Sequence, residues 1–222
     1  ELAMFPHQNK IKNTFADYKA ICAPIAAPAA LIVPKEAPYN SVDEFVKYCK
    51  ANEGKIQMGN SGVGAIWHIA ALRFEEEYGV KFKHIPYPKG TADIAAALAG
   101  KHINATIADP SSFKSQVEAG NLKILAVMAD TRSEIYPTVP TFKELGHNMT
   151  VRAWAALVAP KDTPKEKMDV LCAAAKKVTT SKEFKDYFKK QGIDPTAIIG
   201  ADADKMMKED HAMFGKFLKL AK

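Results

Sequence analysis

Residues 56–64 read Ile56-Gln57-Met58-Gly59-Asn60-Ser61-Gly62-Val63-Gly64, and AIWHIAALRFEEEY follows over 65–78. The spacing predicts a short strand over 56–59, a glycine-rich turn over 60–64 and a helix over 65–78. Strand, tight turn and helix form the repeating step of an α/β domain. The turn also has chemistry. Its glycines let a backbone approach a ligand closely. The unpaired amides and dipole at a helix start attract an anion, and Ser61 adds a hydroxyl.

The same step extends outward on both sides. Short apolar strands are expected at 31–33, 82–87, 103–108 and 122–128, with helices from Ser41, over 91–99 and over 112–119. Ser41 with Glu44 three residues on reads as a helix start. This alternation predicts a mostly parallel sheet covered on both faces. The most apolar run, AICAPIAAPAALIVP over 20–34, is shorter than the ~20 residues of a membrane helix. With Pro24, Pro28 and Pro34 it reads as buried strands meeting at a proline-marked bend. After 128 the pattern changes to a turn-rich stretch over 130–146 and a strand over 154–158. Helices over 164–179 and 182–191, a short strand over 195–199 and a final helix over 202–219 complete it. Two further turns leave strands at Tyr87-Pro88-Lys89-Gly90-Thr91 and Asp109-Pro110-Ser111-Ser112. In an open parallel sheet, ligands sit outside the C-terminal strand ends, so the three turns are positioned to converge on a small anion.

Composition narrows the classes. The chain has 222 residues, enough for one large or two small domains, and a net charge of 31 − 25 = +6. Nearly all the positive charge is lysine; Arg73, Arg132 and Arg152 are the arginines. Base readout and phosphate clamping favour arginine, so the charge reads as a solvated surface and not a nucleic-acid face. Cys22, Cys49 and Cys172 have no CxxC spacing and are expected as free thiols. The six histidines show no ligand spacing, and there is no HExxH or GxxxxGK[ST], so no metal and no cofactor are expected. Residues 59–63 approach a nucleophile elbow, but Val63 stands where glycine is required. No catalytic residue is assigned. A hydrolytic enzyme reading would need His68 Nε2 within about 3.2 Å of Ser61 Oγ and Asp109 orienting the ring. The chain opens at Glu1 without a signal peptide, as a mature or trimmed product does.

Several of these residues carry a family resemblance. Asn60-Ser61-Gly62-Val63-Gly64…His68 resembles the SGxG…H turn of the tripartite tricarboxylate transporter substrate-binding proteins, the Bug or TctC family. Pro86-Tyr87…Gly90 is similar to their PYxG turn, with one extra residue before Gly90. Leu125-Ala126-Val127…Arg132…Pro137-Thr138-Val139-Pro140-Thr141-Phe142…Glu144-Leu145-Gly146 and Trp154…Ala159-Pro160…Thr163-Pro164 are similar to two further segments, in the same order. The resemblance implies an α/β, two-lobed periplasmic-binding-protein type II fold with an interlobe cleft. Lobe two would be complete over 27–128. Lobe one, over 1–26 and 129–222, would be partial, because the family's N-terminal portion has no counterpart here. It implies an extracytoplasmic, periplasmic protein that captures a small carboxylate, a di- or tricarboxylate or a related acid, and delivers it to membrane permease subunits, without inserting in the membrane or binding nucleic acid. Carried over by position, Ser61, Gly62, Val63 and Gly64 would hold one carboxylate, Tyr87, Gly90 and Thr91 would line the same lobe, and Asp109 would meet a polar group of the solute. A ligand-binding sensor or adaptor for a membrane partner is the alternative use of the same site.

Overall fold

The computed structural model describes residues 1–221. In chain order the elements are β1 (Tyr18–Pro28), β2 (Ala30–Pro34), α1 (Val42–Ala51), β3 (Gln57–Asn60), α2 (Ile66–Tyr78), β4 (Lys83–Pro86), α3 (Thr91–Ala99) and β5 (Ala105–Ala108). Then follow α4 (Lys114–Glu118), β6 (Leu122–Val127), β7 (Arg152–Pro160), α5 (Lys165–Thr179), α6 (Lys182–Lys190), β8 (Ile198–Ile199) and α7 (Ala201–Phe217). They form two compact units, one of residues 1–27 and 153–220, the other essentially of 28–152.

The second unit is a five-stranded sheet in the order β4-β3-β5-β2-β6. β3 pairs in parallel with β4 and β5, whereas β2 pairs antiparallel with both β5 and β6. The sheet is therefore mixed, not mostly parallel as the strand–helix alternation predicts: four strands share a direction and β2 opposes them. A parallel neighbour needs a crossover that returns the chain to the same sheet end. α1 makes no such return from β2: it leads into β3, which runs parallel to β5 and therefore opposite to β2. β2 reads Ala30-Leu31-Ile32-Val33-Pro34, and its first four residues are fully buried, as a central strand covered on both faces requires. Phe45, Ile69, Phe74, Ile94, Leu98 and Phe113 fill the unit's core. α1 starts where its sequence signals it: Ser41 Oγ accepts from the Glu44 amide at 3.2 Å, and Glu44 Oε2 accepts from the Asn40 amide at 2.6 Å.

Residues 129–152 belong to this second unit and not with the chain's two ends. The reason is main-chain pairing plus one aromatic anchor. The Val127 amide donates to Pro140 O and the Phe142 amide to Val127 O, each at 3.0 Å. Phe142 is fully buried and meets Phe74 edge-on at 6.0 Å between ring centroids. Arg73 then donates to the Asn148 and Thr150 carbonyls at 2.9 and 3.0 Å.

The first unit is a three-stranded sheet, β7-β1-β8. Its core is built from small residues of β1, namely Ala20, Ala23 and Ala26, against Ala203, Met206 and Met207 of α7. Pro24 lies just past the Ala23–Ile198 pair, where the ladder with β8 has ended. β8 holds two residues, shorter than the strand expected over 195–199. Trp154 packs on this core and donates through Nε1 to the buried Asp210 carboxylate at 2.8 Å.

Within the second unit, Gly59 sits where α3 and the segment after it press tightly on β3. A Cβ there would stand 2.5 Å from Ile103 Cδ1 and 3.0 Å from Ile94 Cγ2. Gly59→Ala should therefore cost about 1–3 kcal/mol, the usual range for overpacking. Urea denaturation checks this, and an unchanged midpoint would mean that the two isoleucines yield freely.

Candidate functional site

Because β4, β3 and β5 are adjacent and parallel, the turns that leave them lie side by side at one end of the sheet. Hydrogen bonds tie them together. The Tyr87 amide donates to Asn60 O at 2.8 Å, joining the β4 and β3 turns. Thr91 Oγ1 donates to Ser112 Oγ at 2.9 Å, joining the segments after β4 and β5. Ser61, Gly62, Val63, Gly64, Tyr87, Gly90, Thr91 and Asp109 thus all belong to one set of neighbouring turns.

Their hydrogen bonds sort them by what they have left to offer. In the 60–64 turn the two glycine amides are already used. The Gly62 amide donates to Asn60 Oδ1 at 2.9 Å, and the Gly64 amide donates to His68 Nδ1 at 3.0 Å. The Ala65 amide closes the turn on Gly62 O at 3.0 Å. The amides of Ser61 and Val63 have no hydrogen-bond partner among the described residues. Ser61 Oγ is buried and also has none, whereas buried hydroxyls ordinarily do. Gly62 and Gly64 hold φ of +112° and +70°, a region open to glycine and costly for other residues. In this turn the glycines supply shape, and the intervening residues carry the open donors.

The other turns are more fully committed. Gly90 has φ of +128°, and its amide donates to Tyr87 O at 3.2 Å. The extra residue noted in the sequence is absorbed as a β-turn over 87–90 with Pro88 in its second position, which suits a fixed φ. Asp109 accepts from the Ser111 amide at 3.0 Å through Oδ1 and from Ser111 Oγ at 2.5 Å through Oδ2. It caps the short helical turn at Pro110–Phe113. Burial outweighs these bonds and raises its pKa above the usual aspartate value.

Behind the 60–64 turn lies a buried polar relay that the sequence reading did not single out. Asn60, almost fully buried, donates through Nδ2 to His84 Nδ1 at 3.4 Å. His84 Nε2 faces Glu75 Oε1 at 3.3 Å, and Glu75 Oε1 also accepts from the Phe82 amide at 2.6 Å. Lys81 reaches the other Glu75 oxygen at 3.6 Å. The bonds from His84 and Phe82, helped by the Lys81 charge, hold the Glu75 carboxyl below its ordinary pKa despite burial. His68 packs edge-on against His84 at 4.6 Å. Desolvation, reinforced by His84, lowers the His68 pKa to about 4. The one signal in the sequence was Glu75 on the largely apolar inner face of α2, where a carboxylate demands a buried partner.

This tautomer bears on catalysis. An acceptor at Nδ1 puts the proton of neutral His68 on Nε2. The nitrogen that an enzyme reading would use as base toward Ser61 therefore carries a proton. Cys22 and Cys49 are buried free thiols and Cys172 a half-buried one; burial pushes the Cys49 thiol up to about 12. Among the described residues no group of three acidic, histidine or cysteine side chains is placed to hold a metal ion. No helix there is long and apolar enough to cross a membrane.

Comparison with known proteins agrees with this architecture. The family described as the tripartite tricarboxylate transporter family receptor, TctC, matches residues 1–221. A UPF0065 protein from the gbd 5′ region of Cupriavidus necator is 34% identical over 165 residues, 74% of this chain and 50% of that protein. A UPF0065 protein of Bordetella pertussis is 30% identical over 192 residues, 86% of this chain and 59% of that protein. The chain thus spans about half the length of the curated relatives it matches. Among solved structures, a TctC solute-binding protein from Polaromonas matches with a TM-score of 0.92 at 34% identity, covering 99% of this chain and 75% of that one. An R. palustris protein solved with adipate matches with a TM-score of 0.76 at 25% identity, covering 92% of this chain and 69% of that one. The family is one of solute-binding receptors and not of enzymes. The family match runs over residues 1–221, and its fold is shared at a third identity, so this chain belongs to the TctC, or Bug, family of tripartite tricarboxylate transporter receptors.

Proposed function

We propose that the chain captures a carboxylate group of a small organic acid at the 60–64 turn, as the binding component of a tripartite transporter on the extracytoplasmic side of a membrane. The observation that carries this reading is the grouping of unused donors: the Ser61 amide, the Val63 amide and the buried, unpartnered Ser61 Oγ, all in the turn that leads into α2. A carboxylate satisfies all three at once, and the helix dipole adds to the attraction. Tyr87, Gly90 and Thr91 line the neighbouring turn. Asp109 meets a donor on the solute, such as a hydroxyl, and not its charged end. The adipate on a relative supports a dicarboxylate. The acid is passed to permease subunits of the transporter.

A thermal-shift screen against succinate, malate, adipate, citrate, glutamate and aspartate tests this. A ligand at 100 times its Kd adds about 2.7 kcal/mol, a readily visible rise in Tm. A saturable rise with one acid supports the reading; no rise with any of them sinks it for this chain. Ser61→Ala should weaken binding of that acid by about 0.5–1.5 kcal/mol, rising to ~3 for a charge-assisted bond. Unchanged affinity by calorimetry would remove Ser61 from the site.

A further inference from the structure

We propose that His68 and Asn60 are positioning residues of this turn, each taking one glycine amide as acceptor so that Ser61 and Val63 are left as its open donors. The inference rests on the carboxylate reading above and adds how the site is held before a solute arrives.

A segment with two glycines at positive φ has many conformations open to it. Binding to a mobile turn is weakened by the fraction of time it spends in the competent shape. Two side-chain acceptors remove that freedom. Asn60 Oδ1 holds Gly62 and His68 Nδ1 holds Gly64, fixing alternate peptide units on either side of Val63. Neither acceptor is free to turn away. Asn60 is anchored through its other amide atom to His84, and His84 in turn to Glu75. Flipping Asn60 would set an N–H against the Gly62 amide and an oxygen against His84, so the relay has one polarity. His68 is nearly fully buried and packs against the His84 ring. Its ring must be neutral to accept from Gly64, because the charged form has donors at both nitrogens. The groups facing it are His84 from β4, Glu75 from its own helix and, beyond Glu75, Lys81 from the loop before β4. Its low pKa keeps it neutral across the physiological range.

The test compares His68→Phe, which keeps a ring and removes the acceptor, with His68→Asn, which places an oxygen near the position of Nδ1. In the ligand-free chain, NMR amide exchange should show Gly64 protected in wild type and in His68→Asn, and unprotected in His68→Phe. Gly62 stays protected in all three and loses protection in Asn60→Ala. Nitrogen NMR should show His68 with its proton on Nε2. Adipate affinity by calorimetry should fall about tenfold in His68→Phe, the scale of one lost hydrogen bond, and stay within about threefold in His68→Asn. Protection of Gly64 should fade as pH drops toward 4 in wild type but not in His68→Asn, a dependence that mere packing would not give. Equal Gly64 exchange in wild type and His68→Phe overturns the proposal, as does equal loss of affinity in the Phe and Asn variants. If no carboxylate binds wild type, the functional reading falls, while the exchange data still decide whether His68 holds the turn.

Discussion

Phe142→Ala should lower the stability of the second unit by about 3–5 kcal/mol, the usual cost of emptying a buried aromatic site. Phe142 has no exposed surface. Its ring lies among Phe74 and Tyr78, with centroids at 6.0 and 6.4 Å. Its backbone is fixed at both ends, donating to Val127 O at 3.0 Å and accepting from the His147 amide at 2.8 Å. A side chain held this firmly leaves a cavity that its neighbours cannot close. Leu145, three residues on and 43% exposed, should tolerate alanine within about 0.5 kcal/mol. Urea unfolding in a Trp154→Phe background leaves Trp67 as the reporter of the second unit. A loss below about 1 kcal/mol for Phe142→Ala would show that 129–152 is only loosely attached.

Acid should weaken the same unit by about 3 kcal/mol through His68 alone between pH 7 and pH 4. The folded ring titrates near 4, against 6.5 for an unperturbed histidine. Between those values the unfolded chain holds a proton that the folded chain excludes. Stability is therefore complete above about pH 6.5 and falls as pH drops toward 4. A gap of about 2.5 units at ~1.4 kcal/mol each sets a limit of about 3.5 kcal/mol, of which about 3 is gone by pH 4, where the folded ring is half protonated. Glu75, whose pKa is lowered, adds loss only below its ordinary value of 4.5. Asp109, whose pKa burial raises, works in the opposite direction. The comparison is made between pH 7 and 5, where most of the His68 contribution is lost and ordinary carboxylates stay charged. Wild-type stability should decline there while that of His68→Asn stays nearly level; parallel declines would assign the acid sensitivity to other groups.

How much of this was legible depends on the range of the interaction concerned. Helix α3 falls on the predicted residues 91–99, because its alanine stripe and the Gly90 start are local signals. Ser41 as a cap and the turns after β3, β4 and β5 were equally local. The direction of β2 was not, since a strand's sequence is the same read up or down a sheet and only its partners decide. The attachment of 129–152 to the second unit depends on Phe142 meeting Phe74 across a long stretch of chain, which no window of sequence contains. At the site, the family's glycines were visible as glycines. That their amides are consumed by Asn60 and His68, leaving Ser61 and Val63 as donors, follows from side-chain directions at a strand end and one helical turn along. The relay from Asn60 to Glu75 joins three elements and gave only the hint of a lone inner-face glutamate.

The reversed β2 also orders events in time. Its neighbours are β5 and β6, so the ribosome releases this wholly apolar segment well before either partner exists. From Pro34 to Ala105 takes roughly 4–14 s at ~5–20 residues per second. During that wait β3 and β4 can pair with each other, but Leu31, Ile32 and Val33 have neither of their native neighbours. Of the five strands of this sheet, β2, which ends up interior between β5 and β6, is the one left longest in search of company, and a factor that shields apolar chain during synthesis would find its target there.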